Sequence, residues 1–193
     1  MPKIVNHEEK KQHILEIAYQ NIQEHGRIGT SVRSIANAAN MTTGQVRYYY
    51  PNHSVLLEDI LAQLTKEIEH QIIEIFTDQT EHVIQRMIQA ILLTIPLDKK
   101  RRADMIVWLA VQNQNSASVD QSMSNEIYIL SEKVYEILKS KQLLKSNINK
   151  EKAVHKLHAL IDGLALHKLY QPDQLSNELI VEIISDEIHS WME

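Results

Sequence analysis

A short stretch after Met41 carries side chains of the kind that recognise nucleic acid. Its hydroxyl, amide and guanidinium groups can hydrogen-bond the edges of DNA bases, and they belong to Thr43, Gln45, Arg47 and Tyr48. The flanking hydroxyls of Thr42 and Tyr49 are better suited to phosphates, which position a protein on DNA without reading its sequence. The stretch therefore predicts a recognition helix.

Such a helix needs a scaffold that holds it at the surface, and the residues around it predict a helix-turn-helix. Ser31 can cap a short second helix, and Thr42 with Gln45 has the spacing of a capping box for a short third one. A small apolar core fixes the two helices at a steep angle, and its small residues let the backbones approach closely. The core consists of Ile35, Ala36, Ala39, Met41 and Val46. Asn52 can cap a long fourth helix that runs to about Ile75.

Apolar spacing is helical along the whole chain, which predicts an all-α fold of about nine helices. Ile14, Ala18 and Ile22 share one face of a first helix, with Asn6 as its cap and Gly26 just past its end. The remaining helices are expected at about 80–95, 99–114, 118–141, 150–170 and 174–192.

Three segments that follow one another along the sequence resemble the DNA-binding domain of the TetR family of transcriptional regulators: residues 14–18, 26–36 and 39–53. The resemblance implies a DNA-binding domain over residues 1–53 and a helical domain for ligand binding and dimerisation over 54–193. It places Ser31 and Arg33 near phosphates and Tyr50 in the core. The full set of expected DNA contacts is Ser31, Arg33, Thr42, Thr43, Gln45, Arg47, Tyr48, Tyr49 and His53.

Three positions depart from the family pattern. Arg47 stands where tyrosine is frequent, and Ser34 replaces the common acidic capping partner of Ser31. His53 stands where lysine usually meets a phosphate, and a neutral imidazole carries no full charge at pH 7. This change favours a weaker grip on DNA and keeps open a helical adaptor that has lost DNA binding.

The last two predicted helices carry long apolar stripes, which predict an antiparallel pair that faces the internal core in part and meets a second copy of the chain with the rest. The stripes consist of Val154, Leu157, Ile161, Leu164 and Leu169, then Leu175, Leu179, Ile183, Ile184, Ile188 and Trp191. A homodimer through these helices, which the resemblance also implies, would present two recognition helices to major grooves about 34 Å apart.

Residues 161–167 resemble the C-terminal domain of the BetI-type branch, which is associated with choline-responsive regulation. Trp108 and Tyr128 can face a quaternary ammonium through cation–π contact, with Asp162 as the counter-charge. The expected lining of the effector pocket is Met87, Met105, Trp108, Gln112, Tyr128, His158 and Asp162.

Two further groups of residues have the side chains of a metal site. His155, His158 and Asp162 share a helical face on which zinc or nickel could bind, but polar contacts explain them as well and we expect no metal and no cofactor. Glu67 with His70 is a single Glu-x-x-His pair, whereas a helical-bundle metalloenzyme needs two such pairs with further glutamates. We expect no catalytic residues.

The composition and the charge distribution indicate where the protein works and what it binds. The 193 residues include no cysteine, which excludes disulfides and thiolate chemistry, and neither a signal peptide nor a membrane span is expected. The net charge of −5 divides into +2 over residues 1–53 and −7 over the rest, as a DNA-facing head on an acidic body would have. The sequence predicts a cytoplasmic transcriptional regulator in which the fourth helix transmits effector binding to the DNA-binding domain. Repression that a small molecule relieves is favoured, and activation is the alternative.

Overall fold

The computed structural model describes residues 7–78, 81–114 and 124–193. These residues form nine α-helices, and their bounds are α1 His7–His25, α2 Val32–Ala38, α3 Thr43–Tyr49, α4 His53–Thr77, α5 Val83–Leu92, α6 Lys99–Gln114, α7 Ser124–Ser140, α8 Lys150–Tyr170 and α9 Asn177–Ser190. A 3-10 helix, Gly26–Thr30, joins α1 to α2. The all-α prediction is confirmed.

Helix ends follow the capping residues that the sequence indicates. Ser31 caps α2, Thr42 caps α3, and Gly26 takes a φ of +59° directly after α1, the left-handed conformation that glycine adopts most easily. Asn52 precedes the first residue of α4. The predicted cap Asn6 lies outside the described residues.

Contacts between residues group the chain into two compact units. Of the described residues, the first contains 7–68 and 98–114, and the second contains 69–78, 81–97 and 124–193. The first unit thus holds α1 to α3, most of α4, and α6. The predicted division of roles after residue 53 is a functional one and stays a prediction.

The second unit is held by apolar packing. Helix α8 alone buries eight residues, and most of the stripe residues expected on a partner-facing surface lie in this internal core. Val154, Ile161 and Ile184 are fully buried within the chain, so these stripes are not the surface that a second copy would meet. Leu179, with an exposed side chain, and Ile183, which is half-buried, are the exceptions.

Hydrogen bonds close the C-terminal end of this unit. The backbone of Lys145 donates to Trp191 O, and Leu144 and Met192 form an isolated antiparallel bridge. The Trp191 indole donates to the buried carboxylate of Glu187, which Lys156 contacts at 2.6 Å. None of the helices in the described ranges is both long and apolar enough to cross a membrane.

Candidate functional site

Helix α3 is exposed over nearly its whole surface, because Val46 is its single buried side chain. The nine predicted DNA contacts are all exposed except Tyr49 and His53, which are half-buried. Tyr48 is 71% exposed, whereas Tyr50, the expected buried aromatic, is 3% exposed. Burial, with Asp59 nearby, raises the pKa of the Tyr50 phenol. The predicted polar face of α3 thus points outward.

The start of α3 is fixed by a reciprocal pair of hydrogen bonds. The backbone N–H of Gln45 donates to Thr42 Oγ1 at 3.1 Å, and the backbone N–H of Thr42 donates to Gln45 Oε1 at 2.8 Å. This capping box orients the Gln45 side chain through its Oε1. The NH₂ group of the same amide is not used by the capping box. The predicted capping box is confirmed.

A buried amide joins α1 to the helices that follow it. Asn21 Nδ2 donates to Gly29 O at 2.9 Å and to Ser34 Oγ at 2.8 Å. A Cβ on Gly29 would lie 2.4 Å from Asn21 O, so only glycine permits this approach of the 3-10 helix to α1. The sequence analysis missed Asn21, although a polar residue on the Ile14–Ala18–Ile22 face of α1 is a visible signal.

His53 has an internal partner. Its Nε2 hydrogen-bonds the carbonyl oxygen of Thr30, which ties the first residue of α4 to the end of the 3-10 helix. A carbonyl can only accept, so Nε2 carries the proton in this bond. The imidazole therefore helps to hold the helix-turn-helix together, and its predicted contact with a phosphate stays a prediction.

Helix α6 packs against α1 within the first unit, which no local sequence pattern had indicated. The Tyr19 hydroxyl donates to Asp104, and Lys100 lies 3.3 Å from Glu67 on α4 and 3.5 Å from Asp104. Burial raises the pKa of Asp104, while Tyr19 and Lys100 oppose the shift. Burial and the bond to Asp104 also raise the pKa of Tyr19. The network joins three helices around two partly buried groups.

In the second unit, three of the predicted effector contacts come together. The Tyr128 ring on α7 lies 6.2 Å from the His158 ring and 5.2 Å from the His155 ring on α8. His158 Nε2 is 3.4 Å from Asp162 Oδ2. Burial raises the pKa of Asp162, and His158 opposes the shift. We name Tyr128, His155, His158 and Asp162 the α7–α8 cluster.

The other predicted effector contacts are placed apart from this cluster along the chain. Met87 is fully buried in α5 of the second unit. Met105, Trp108 and Gln112 are half-buried on α6, which belongs to the first unit. Their role in effector binding stays a prediction.

A surface cleft of about 580 Å³ in the second unit was not foreseen from the sequence. Its lining includes the carboxylates of Glu74, Asp78 and Glu81 together with Arg86. Arg86 Nη1 donates to Phe76 O, and its Nε is buried without a hydrogen-bond partner. None of the predicted effector contacts lines this cleft.

Of the two metal arrangements considered from the sequence, His155, His158 and Asp162 lie in the α7–α8 cluster, whereas Glu67 and His70 have other partners. Glu67 contacts Lys100 and His70 contacts Glu74, so this Glu-x-x-His pair is not directed to a shared centre. Across the described ranges, no three histidine or acidic side chains stand close enough together to hold a metal ion.

Comparisons with known proteins match this architecture. The family model of the C-terminal domain of BetI-type transcriptional repressors matches residues 83–192. The HTH-type transcriptional regulator PksA of Bacillus subtilis is 26% identical over 98% of this chain and 93% of its own length. BetI of Burkholderia cenocepacia is 29% identical over 68 residues, which cover 35% of each protein.

A solved structure shows the same fold over nearly the whole chain. It is a regulator from Saccharomonospora viridis, described as putative and in complex with choline, with a TM-score of 0.79 and 20% identity. The match covers 96% of this chain and 99% of that one.

Proposed function

This chain belongs to the TetR family of DNA-binding transcriptional regulators, and from that premise we propose that it is a repressor which a small-molecule effector releases from its operator. The observation that carries the proposal is the outward-facing polar surface of α3, held rigid by the Thr42–Gln45 capping box. Acting on DNA, the protein works in the cytoplasm.

The DNA contacts divide by position on this surface. Thr43, Gln45, Arg47 and Tyr48 line the exposed side of α3 and read base edges in the major groove. With Gln45 Oε1 engaged by Thr42, its NH₂ group donates to acceptors such as purine N7 or guanine O6. Phosphate contacts come from the remaining set of Ser31, Arg33, Thr42, Tyr49 and His53.

The protein acts as a homodimer through α8 and α9. Support comes from an exposed stripe of small and apolar residues along α8, made of Ala159, Gly163, Leu166 and Tyr170. A Cβ on Gly163 would meet nothing within 4 Å, so no packing inside the chain requires glycine there. A second copy approaching this face would benefit from the missing side chain.

Substituting Gly163 tests the dimer. Gly163→Leu adds a large side chain into open space, so the chain still folds, but its sedimentation shifts toward the monomer. Gly163→Ala is the matched control, since one methyl group changes the surface little. A Gly163→Leu protein that sediments as the wild type places the dimer interface elsewhere.

The effector is a small organic cation bound at the α7–α8 cluster. The Tyr128 ring offers a cation–π face, and the half-exposed Asp162 carboxylate offers the counter-charge. The choline bound to the structural relative from Saccharomonospora viridis supports this chemistry. His158 lies beside both groups and orients the carboxylate.

Release of DNA is linked to effector binding through the helices that hold the DNA-binding surface. Helix α6 lies within the BetI-type match, and it contacts α1 through Tyr19 and Asp104. A shift of α6 or of α4 therefore disturbs the scaffold of α3. A coupling of about 1 to 3 kcal/mol corresponds to roughly 5- to 150-fold weaker DNA binding.

The proposal is tested by selecting bound duplexes from a random DNA pool and then adding choline to the selected complex. We expect an enriched, near-palindromic sequence whose complex dissociates as choline rises, and a smaller response in Asp162→Asn. If no duplex is enriched, the DNA-binding function is wrong. If a duplex is enriched and choline has no effect, the assigned effector class is wrong.

A further inference from the structure

The first turn of α1 packs against the aromatic end of α3. The His7 ring lies 4.9 Å from the Tyr49 ring in a tilted arrangement and 5.9 Å from the Tyr48 ring in an edge-to-face one. The two tyrosine rings are themselves perpendicular, with centroids 5.1 Å apart. The three rings form one cluster, which we name the His7–Tyr48–Tyr49 cluster.

The neighbouring residues of α1 and α3 extend this contact. Lys11, one turn after His7, places its Nζ 5.4 Å from the centre of the Tyr50 ring. Two successive turns of α1 therefore meet three consecutive tyrosines of α3 and its end. Tyr50 is buried and needs no further support, whereas Tyr48 is 71% exposed.

An exposed tyrosine rotates between rotamers, and its hydroxyl then sweeps through several ångströms. DNA contact requires one of these rotamers, so free rotation weakens binding through lost conformational entropy. The rings of His7 and Tyr49 lie together against Tyr48, and this contact favours one rotamer before DNA arrives. No other described ring touches Tyr48.

We propose that His7 is a positioning residue for DNA recognition: its ring holds Tyr48 and Tyr49 in the orientation in which α3 docks. The inference rests on the proposed function, and it assigns a role to a residue outside the helix-turn-helix. His7 acts through packing, because its ring faces the two tyrosines; it is not needed as a hydrogen-bond donor to DNA.

If His7 acts through packing, phenylalanine should replace it and alanine should not. Phenylalanine keeps a flat ring at the same place and loses the ring nitrogens, whereas alanine removes the ring. An aromatic pair corresponds to roughly a 2- to 13-fold change in an equilibrium constant. A dimer contains two recognition helices, so the two losses multiply. The expected loss in DNA affinity is then roughly 5- to 150-fold.

The test measures the affinity of His7→Ala, His7→Phe and the wild type for the duplex selected by the wild type. His13→Ala is the matched control, since His13 is an exposed histidine on the same helix with no ring contact among the described residues. We expect weaker binding by His7→Ala, by at least about 5-fold for the dimer, and binding within about 2-fold of the wild type by His7→Phe and His13→Ala.

A second readout follows the tyrosines themselves. In spectra of protein with ¹³C-labelled tyrosine rings, His7→Ala shifts the Tyr48 and Tyr49 signals and leaves that of Tyr19 in place. Thermal melting confirms that each variant is folded. A purely structural loss would lower the melting temperature, and the signals of all tyrosines would change together.

Failure of the inference differs from failure of the proposed function. If the wild type binds its duplex and His7→Ala binds equally well, His7 does not position the tyrosines. If His7→Phe is as weak as His7→Ala, the ring nitrogens contact DNA and the packing role is wrong. A wild type that enriches no duplex instead overturns the proposed function.

Discussion

Helices α3 and α8 are stabilised in different ways. Helix α3 has seven residues and buries one of them, so its position depends on a capping box and on the buried amide of Asn21 nearby. Helix α8 has 21 residues and buries eight, so its position depends on apolar packing. A helix whose surface is largely exposed has few apolar contacts to hold it, and in α3 polar hydrogen bonds replace them.

The largest expected effect is in α8. Ile161→Ala removes a fully buried side chain and should lower the free energy of unfolding by about 2 to 5 kcal/mol. Urea denaturation measures the loss, and Ile73→Ala, at a side chain that is 64% exposed, should change it by no more than about 0.5 kcal/mol. Equal effects of the two substitutions would show that apolar burial does not hold α8 in place.

Asn21→Ala should have the next largest effect, and it tests the polar side of the comparison. The substitution leaves Gly29 O and Ser34 Oγ without their donor, which costs about 1 to 3 kcal/mol. Hydrogen exchange should show faster opening of α2 and α3 than in Gln20→Ala, an exposed amide on the same helix. If both variants exchange alike, the amide does not hold the scaffold.

Thr42→Ala should cost about 0.5 to 2 kcal/mol, because it removes the cap of α3. The effect should be confined to α3, with faster exchange of the Gln45 amide. Thr42→Ser keeps the hydroxyl and should restore both the protection and the DNA affinity. A serine variant as weak as the alanine one would mean that the methyl group, and not the cap, matters.

The smallest effect concerns the one carboxylate in the α7–α8 cluster. Burial raises the pKa of Asp162 above its ordinary 3.8, so the folded state keeps the proton to a higher pH than the unfolded state. Stability therefore falls as the pH rises from 3.8 through that raised pKa. Asp162→Asn should remove this fall in the free energy of unfolding, measured by urea denaturation at a series of pH values above 3.8. A variant that keeps the fall points to another group.

The same contrast explains what the sequence could predict. Caps and glycines act within a few residues, so Ser31, Thr42 and Gly26 were identified correctly and the helix bounds followed. Apolar periodicity also located α8 and α9. Periodicity shows that a face is buried, but it does not show which surface covers that face. The stripe containing Val154 and Ile161, expected in part at a dimer interface, is buried within the chain.

Contacts between distant residues escaped the sequence analysis for a physical reason. Tyr19 and Asp104 are 85 positions apart, and nothing in either segment indicates that α6 packs on α1. The contact of His53 with Thr30 likewise depends on how α4 begins relative to the 3-10 helix. Such pairs become visible only when the fold brings the segments together.

The proposed function requires above all that the exposed face of α3 reads DNA. Selection from a random duplex pool with the wild type, Gln45→Ala and Tyr49→Ala tests it directly. We expect half-sites spaced by about one helical turn or a multiple of it, relaxed preference at particular base pairs for Gln45→Ala, and uniformly weaker binding for Tyr49→Ala. Unchanged selection by both variants would show that α3 does not contact DNA.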